Sequence, residues 1–163
     1  MIELFYKEIL PQEIAFLVKL ETLNLNENML RQIPPTIGQL KNLKTINLSK
    51  NNIVVIPKEI CELKQLDFLD LSMNKIESLE GNLENLSAIE LNLNENRLKS
   101  ISSSVAKCPR LKVLRLEQNL LELKAIPVDL MLHSKVSLLA IDGNLFTQKQ
   151  FEQIEGYEKV IIF

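Results

Sequence analysis

One nine-residue phrase, L-x-x-L-x-L-x-x-N with other small apolar residues in place of some leucines, occurs six times in the 163-residue chain. Its copies begin at Leu20, Leu43, Leu66, Ala88, Leu111 and Val136. The asparagines that close the copies are 23, 23, 22, 23 and 25 residues apart. A period of this length is the signature of a solenoid, in which each repeat packs only on its neighbours. The repeat therefore constrains the fold more than any other feature.

Each phrase predicts a short strand followed by a bend. In the stretch Thr22–Asn26, apolar and polar residues alternate, as expected of a strand with one buried face. The closing asparagine has a short amide that suits a bend, because it can hydrogen-bond the turning backbone. We expect a structural ladder of asparagines, each costing about 1–3 kcal/mol if removed. Its members are Asn28, Asn51, Asn74, Asn96, Asn119 and Asn144.

The second half of each repeat, exemplified by Leu30–Leu40, places apolar residues three or four positions apart. This spacing favours a tight helical or 3₁₀ turn over a long α-helix. Pro34, Pro57 and Pro127 suit the start of such a turn, where no amide donor is required.

Three repeats depart from that pattern. Glu80–Asn82 and Ser102–Ser104 replace the proline in the third and fourth repeats, and we expect looser turns there. The fifth repeat has two extra residues within Leu121–Ile126, which predicts a bulge on the convex side.

The whole chain, residues 1–163, is predicted to be one domain: a partial repeat or cap over 1–19, six repeats over 20–146, and a cap helix and tail over 147–163. Phe5 falls where an asparagine is expected, so the chain starts within a repeat. Two explanations stay open, namely a natural cap built from Phe5 and Tyr6, or an array that has lost its first repeats; we favour the second. The apolar tail Val160–Phe163 either packs under the cap or marks a shortened terminus.

The 23-residue form with I-P-x-x-I-x-x-L-x-x-L resembles intracellular leucine-rich repeat proteins of the Ras-suppressor and scaffold type. Over residues 88–159 the resemblance is narrower. Cys108-Pro-Arg-Leu-Lys-Val-Leu-Arg-Leu-Glu117 and Leu139-Ala-Ile-Asp-Gly-Asn-Leu-Phe146 are similar to the leucine-rich repeat-containing protein 57 type. The resemblance implies an α/β right-handed solenoid, with a parallel sheet on its concave face and short 3₁₀ turns on its convex face. It also implies a small intracellular protein without a catalytic domain.

Composition excludes several function classes. The net charge is −2, and no aromatic residues are interleaved among the basic ones, so a nucleic-acid partner is not expected. No apolar run reaches the roughly 18 residues of a membrane span, and the acidic start is unlike a signal peptide. Cys61 and Cys108 lie far apart in the sequence, unlike the cysteine clusters of secreted domains. We predict a cytoplasmic protein without membrane contact.

The sequence contains no phosphate-binding glycine loop, no nucleotide-binding G-x-G-x-x-G and no nucleophile elbow. Its single histidine, His133, occupies a leucine position of the repeat, so we predict a partly buried structural residue rather than a general base. Neither cysteine belongs to a plausible zinc set. We therefore predict no catalysis, no cofactor and no metal.

The exposed face of the sheet is the remaining candidate site, because a solenoid's concave sheet suits binding of another macromolecule. The predicted protein-binding residues are Asn24, Asn47, Phe68, Asp70, Asn92, Arg115 and Glu117. Phe68 is the central aromatic, and an interface role competes with simple packing against its neighbours. The asparagines are either ligand contacts or filler.

A basic cluster is predicted to be a solvated surface rather than a binding patch, with an acidic protein as the next alternative. Its members are Arg97, Lys99, Lys107, Arg110, Lys112 and Arg115.

The predicted function is a non-catalytic interaction module whose concave face binds a protein. The alternative is a fragment or regulatory subunit of a larger leucine-rich repeat protein in GTPase or phosphatase signalling. Self-association through the N-terminal edge is a third hypothesis, because the end of a solenoid leaves a sheet edge unpaired.

Overall fold

The computed structural model describes residues 8–79 and 83–162, without the side chain of Ile162. Its strands are β1 Thr22–Asn24, β2 Thr45–Asn47, β3 Phe68–Asp70, β4 Ser78–Leu79, β5 Glu90–Asn92, β6 Ser100–Ile101, β7 Val113–Arg115, β8 Leu138–Ala140 and β9 Ile161–Ile162. Seven of them form a parallel sheet in the order β1-β2-β3-β5-β7-β8-β9, and β4 pairs with β6 separately. Sequential repeats thus contribute adjacent strands, as the periodicity predicts.

Short helical turns return the chain from one strand to the next. The 3₁₀ helices are Gln12–Phe16, Pro35–Gln39, Lys58–Glu62, Ser103–Lys107, Leu123–Ala125 and Tyr157–Lys159, and the α-helices are α1 Asp129–Leu132 and α2 Gln148–Phe151. Pro11, Pro34 and Pro57 each stand directly before a 3₁₀ helix with extended backbone, where their missing N–H is not needed.

The core is a stack of leucine and isoleucine columns between the sheet and the turns. Strand residues Ile46, Leu69 and Leu91 are aligned across β2, β3 and β5, and all three side chains are inaccessible to solvent. Turn residues Ile37 and Ile60 close the opposite side of the same core. Because each apolar residue contacts its counterparts in the adjacent repeats, burial is continuous along the solenoid.

The fourth repeat differs from expectation. Its turn is a five-residue 3₁₀ helix, Ser103–Lys107, as long as the turns that follow Pro34 and Pro57. The Ser102 hydroxyl accepts a hydrogen bond from the Ser104 amide at 3.2 Å, so the serine caps the helix in place of proline. The prediction of a looser turn is wrong here, whereas Glu80–Asn82 of the third repeat lies outside the described residues.

The C-terminal segment caps the core and then rejoins the sheet. Thr147 and Gln150 form a reciprocal capping box at the start of α2, and Phe151 is fully buried against Phe146, with ring centroids 5.9 Å apart. Beyond this cap, Val160 is buried and β9 pairs in parallel with β8. The tail therefore packs Val160 into the core and adds a seventh strand, which was not predicted; the alternative of a shortened terminus stays a prediction. At the other end, Phe5 and Tyr6 lie outside the described residues.

Candidate protein-binding surface

The outward residues of the sheet form three columns, which we call the concave face. Strand pairing aligns the first column as Thr22, Thr45, Phe68, Glu90, Val113 and Leu138. It aligns the central column as Asn24, Asn47, Asp70, Asn92, Arg115 and Ala140, of which Ala140 is fully buried. The third column follows each strand and comprises Asn26, Ser49, Ser72, Asn94, Glu117 and Asp142. The seven predicted binding residues all belong to these columns, so the fold brings them onto one surface.

Side-chain oxygen atoms in the central column accept hydrogen bonds from the residue two positions onward in the chain. Asn47 Oδ1 accepts from the Ser49 amide at 3.0 Å and from its hydroxyl at 2.8 Å. Asp70 Oδ1 makes the same two contacts with Ser72, at 2.9 and 2.7 Å. These bonds fix the side-chain orientation, and the second polar atom of each group has no hydrogen-bond partner among the described residues.

The asparagines of the central column keep a free donor. Oδ1 of Asn24 and Asn92 accepts from the amide two residues onward, at 3.3 and 3.1 Å. Within the described ranges, Nδ2 of Asn24, Asn47 and Asn92 has no hydrogen-bond partner. The concave face therefore contains three uncharged donors that are available to a partner.

The other half of the concave face contains most of its charged residues, namely Glu90, Arg115, Glu117 and Asp142. Arg115 Nε bonds Glu90 Oε1 at 2.8 Å across neighbouring strands. Glu117 is tied to the strand before it, because its amide donates to Asn94 Oδ1 at 2.9 Å and its carboxylate accepts from Asn94 Nδ2 at 2.5 Å. Arg115 and Glu117 are thus ordered by neighbours on the face itself.

Phe68 lies on the concave face, as predicted. Its register partners are Thr45 on β2 and Glu90 on β5, and its side chain is partly exposed. Part of the ring therefore packs on the sheet and part remains accessible. An interface role for Phe68 stays a prediction.

The asparagine ladder is present and explains why the bends stack. Asn51 Nδ2 donates to Leu25 O of the preceding repeat at 2.9 Å and to Leu48 O of its own at 3.0 Å, while its Oδ1 accepts from Leu30 N at 2.9 Å. Asn74, Asn96 and Asn119 repeat this pattern. These four side chains are 3–8% exposed, and Asn28 and Asn144, at the two ends of the row, are half-buried.

Sequence reasoning missed that the residue directly before each ladder asparagine has a left-handed backbone conformation. Glu27, Lys50, Met73, Glu95 and Gln118 have φ between 54° and 57°. The sixth phrase has Gly143 at this position, with φ 75°. Because glycine favours positive φ, this residue could have indicated the conformation from the sequence. Among these residues, Lys50 pairs with Glu27 at 2.7 Å and lowers the pKa of that exposed carboxyl.

The basic cluster is largely neutralised by acids of other repeats. Lys99 pairs with Glu77 at 3.4 Å, Lys107 with Glu84 at 4.0 Å, Arg110 with Asp67 at 2.5 Å and Arg115 with Glu90 at 2.8 Å. Four of the six members are thus paired with acids, and the interpretation of the cluster as a solvated surface stays a prediction.

His133 differs from its prediction. Its side chain is 71% exposed, and Nε2 lies 3.8 Å from Asp129 Oδ1. The helix α1 that follows the two-residue insertion buries Leu130 and Met131, so the position after it points outward.

Burial raises the pKa of the Cys108 thiol to about 12, and its Sγ donates to Leu83 O at 3.1 Å, which makes it a poor nucleophile.

In the described part of the chain, no group of three or more His, Cys, Asp or Glu side chains is arranged to hold a metal ion. Nor does this part contain a helix long and apolar enough to cross a membrane.

Two further surfaces are apolar. A cavity of about 710 Å³ lies beside the two-residue insertion and is lined by Leu123, Ile126 and Phe146 among others. At the first described repeat, a concavity of about 500 Å³ is lined by residues 16–20, and Phe16 is 80% exposed. Self-association through the N-terminal edge of the sheet remains a hypothesis.

Comparison with known proteins agrees with this architecture. Residues 18–76 match the leucine rich repeat family model. The leucine-rich repeat protein LIC12759 of Leptospira interrogans is 32% identical, with a TM-score of 0.87 over 97% of this chain. The plant peptide hormone receptor RGFR1, solved in complex with RGF2, is 28% identical with a TM-score of 0.75 over 94% of this chain. The PEPR1–AtPEP1 structure is 27% identical with a TM-score of 0.70 over 83%.

The chain spans only 40%, 26% and 19% of the lengths of these three proteins. These matches do not support the narrower resemblance to the leucine-rich repeat-containing protein 57 type, and that resemblance stays a prediction. Repeat sequence, strand order and structural similarity agree on the general class. The chain has the leucine-rich repeat solenoid fold, and its residues 18–76 match the family model itself.

Proposed function

We propose that this protein is a non-catalytic interaction module that binds a protein partner on its concave face. The observation that carries the proposal is the row of three amide donors at Asn24, Asn47 and Asn92. Their oxygens are fixed by the backbone and their nitrogens are free, so the face is ordered before a partner arrives. Such preorganisation lowers the entropy cost of association.

Two structural neighbours support a protein-binding role. RGFR1 is a peptide hormone receptor that was solved in complex with RGF2, and PEPR1 was solved with AtPEP1. Because this chain matches only part of each receptor, the similarity supports binding as a class and names no partner.

Site-specific photo-cross-linking tests the proposal. A photoreactive amino acid replaces Asn47 on the concave face or, as the matched control, Lys58 on an exposed turn of the convex side. We expect one discrete protein adduct from position 47 in cells of the source organism, and none from position 58. The adduct should disappear when Asn92, two strands away, is changed to tryptophan. Adducts formed only from position 58 would contradict the proposal.

A cytoplasmic location is part of the proposal and rests on the two cysteines, Cys61 and Cys108, which are not clustered as in disulfide-rich secreted domains. Cell fractionation with an antibody against the protein tests it, and recovery in the secreted fraction would refute it.

The second candidate function is a part of a larger leucine-rich repeat signalling protein in a GTPase or phosphatase pathway. It is favoured by the greater length of the matched chains, of which this one spans 40% or less. The same antibody gives the test, because the candidate requires a band well above the mass of 163 residues.

A further inference from the structure

We propose that Phe68 and Asp70 form a subsite for an arginine side chain of the protein partner. This inference rests on the proposed binding role of the concave face and names the chemistry that the face selects. The two residues are the first and last of β3, near the middle of the sheet.

The charge of the concave face favours a cation. Its three columns contain four acids, Asp70, Glu90, Glu117 and Asp142, and one base, Arg115. Arg115 is already paired with Glu90 at 2.8 Å. Among the described residues, no lysine, arginine or histidine lies within ion-pair distance of the other three acids. The face therefore presents uncompensated negative charge, and a partner with positive charge is electrostatically complementary.

The spacing within β3 fits one guanidinium group. Phe68 and Asp70 are two residues apart on the same face of a strand, which separates their Cα atoms by about 6.6 Å. A cation is attracted to an aromatic ring from within roughly 6 Å of its centroid. The partly exposed ring of Phe68 gives a surface on which a planar guanidinium can stack while its N–H groups reach the Asp70 carboxylate. The flexible point charge of lysine fits this pair of contacts less well.

The Asp70 carboxylate is oriented for this role. Its Oδ1 accepts from the amide and hydroxyl of Ser72, at 2.9 and 2.7 Å, while Oδ2 has no hydrogen-bond partner among the described residues. The strands on either side place Asn47 and Asn92 in register with Asp70. Their free Nδ2 donors suit the backbone carbonyl groups of the segment that carries the arginine.

The protein offers a substitution that isolates the charge. Asp70→Asn preserves the acceptor for Ser72, because Asn47 makes the same two bonds with Ser49 at 3.0 and 2.8 Å. We therefore expect the fold to be unaffected. Asp142→Asn removes the same charge from the edge of the face, and it serves as the matched control.

The probe is a displayed library of random twelve-residue peptides, selected on the full chain and then synthesised individually. We expect the selected peptides to share an arginine whose replacement by alanine weakens binding about tenfold or more. Asp70→Asn should weaken the same peptides about tenfold, and Asp142→Asn should change affinity less than about twofold. Phe68→Leu, which keeps apolar bulk and removes the ring, should weaken them about two- to fivefold.

The outcomes separate this inference from the proposed function. Asn92→Trp obstructs the face next to the subsite without removing either Phe68 or Asp70. Peptides that lose binding with Asn92→Trp, yet tolerate Asp70→Asn and contain no shared arginine, would leave the binding role standing and overturn the arginine subsite. Equal affinity after arginine is replaced by lysine in the peptide would also overturn it. Selection of no peptide sensitive to Asn92→Trp would count against both.

Discussion

Replacing Asn74 by alanine tests whether the ladder holds adjacent repeats together. Asn74 Oδ1 accepts from the Ile53 amide at 2.9 Å, and Nδ2 donates to Leu48 O at 3.0 Å and Leu71 O at 3.1 Å. The contacts to Ile53 and Leu48 reach the preceding repeat. The substitution thus removes one acceptor and one donor from a junction that is closed to water.

The backbone groups that bond Asn74 differ in whether they keep another hydrogen bond after the substitution. Leu48 O keeps a bond from Asn51 Nδ2 at 3.0 Å, and Leu71 O keeps one from Asn96 Nδ2 at 2.9 Å. The Ile53 amide has no other acceptor among the described residues. One buried N–H without a partner costs about 1–3 kcal/mol, so we expect Asn74→Ala to lower the free energy of unfolding by about 2 kcal/mol.

The measurement is urea and thermal unfolding followed by circular dichroism. For a chain of this size, about 2 kcal/mol corresponds to a decrease in Tm of roughly 4–8 °C. The matched control is Asn52→Ala, next to Ile53 in the preceding repeat, because the Asn52 side chain makes no hydrogen bond within the described ranges and its replacement should cost less than about 0.5 kcal/mol. Equal losses in Asn74→Ala and Asn52→Ala would refute the assignment of the ladder as a stabilising element.

Three other predictions concern the turns and the buried thiol. Ser102→Ala removes the cap on the Ser104 amide and should cost about 1 kcal/mol in the same unfolding assay; no change would show that the turn needs no cap. Gly156→Ala combines φ 81° with a new Cβ 2.7 Å from Leu132 Cδ2, so we expect a lower Tm and faster proteolysis of the C-terminal cap, and unchanged values would contradict this. Cys108 has its pKa raised from 9.0 to about 12 by burial, so the stability it contributes is complete below pH 9.0 and decreases as pH rises towards 12. Unfolding as a function of pH should therefore be flatter for Cys108→Ala than for wild type above pH 9.0, and parallel curves would refute the pKa shift.

The repeat pattern predicted the parallel order of the strands, the inward leucines and the stacked asparagines, because each depends on a period that can be counted. It failed where local geometry departs from the period. His133 is exposed because the two-residue insertion is followed by the helix α1, which changes the direction of the leucine position. The seventh strand was missed because Ile161–Ile162 is two residues long and lacks the closing asparagine. Cross-repeat ion pairs such as Arg110–Asp67, 43 residues apart, depend on side-chain reach that a linear pattern does not contain.

The pair Asn47 and Asp70 shows how the scaffold and the binding surface are separated. Both residues occupy the central column, and both accept from the amide and hydroxyl of a serine two positions onward, at distances within 0.1 Å of each other. The backbone requires one acceptor there, and either side chain supplies it. The choice between amide and carboxylate therefore costs the fold little, while it changes the charge presented to a partner by one unit. Selectivity in this protein is expected at such positions, where Asp70→Asn would alter binding and leave Tm nearly unchanged.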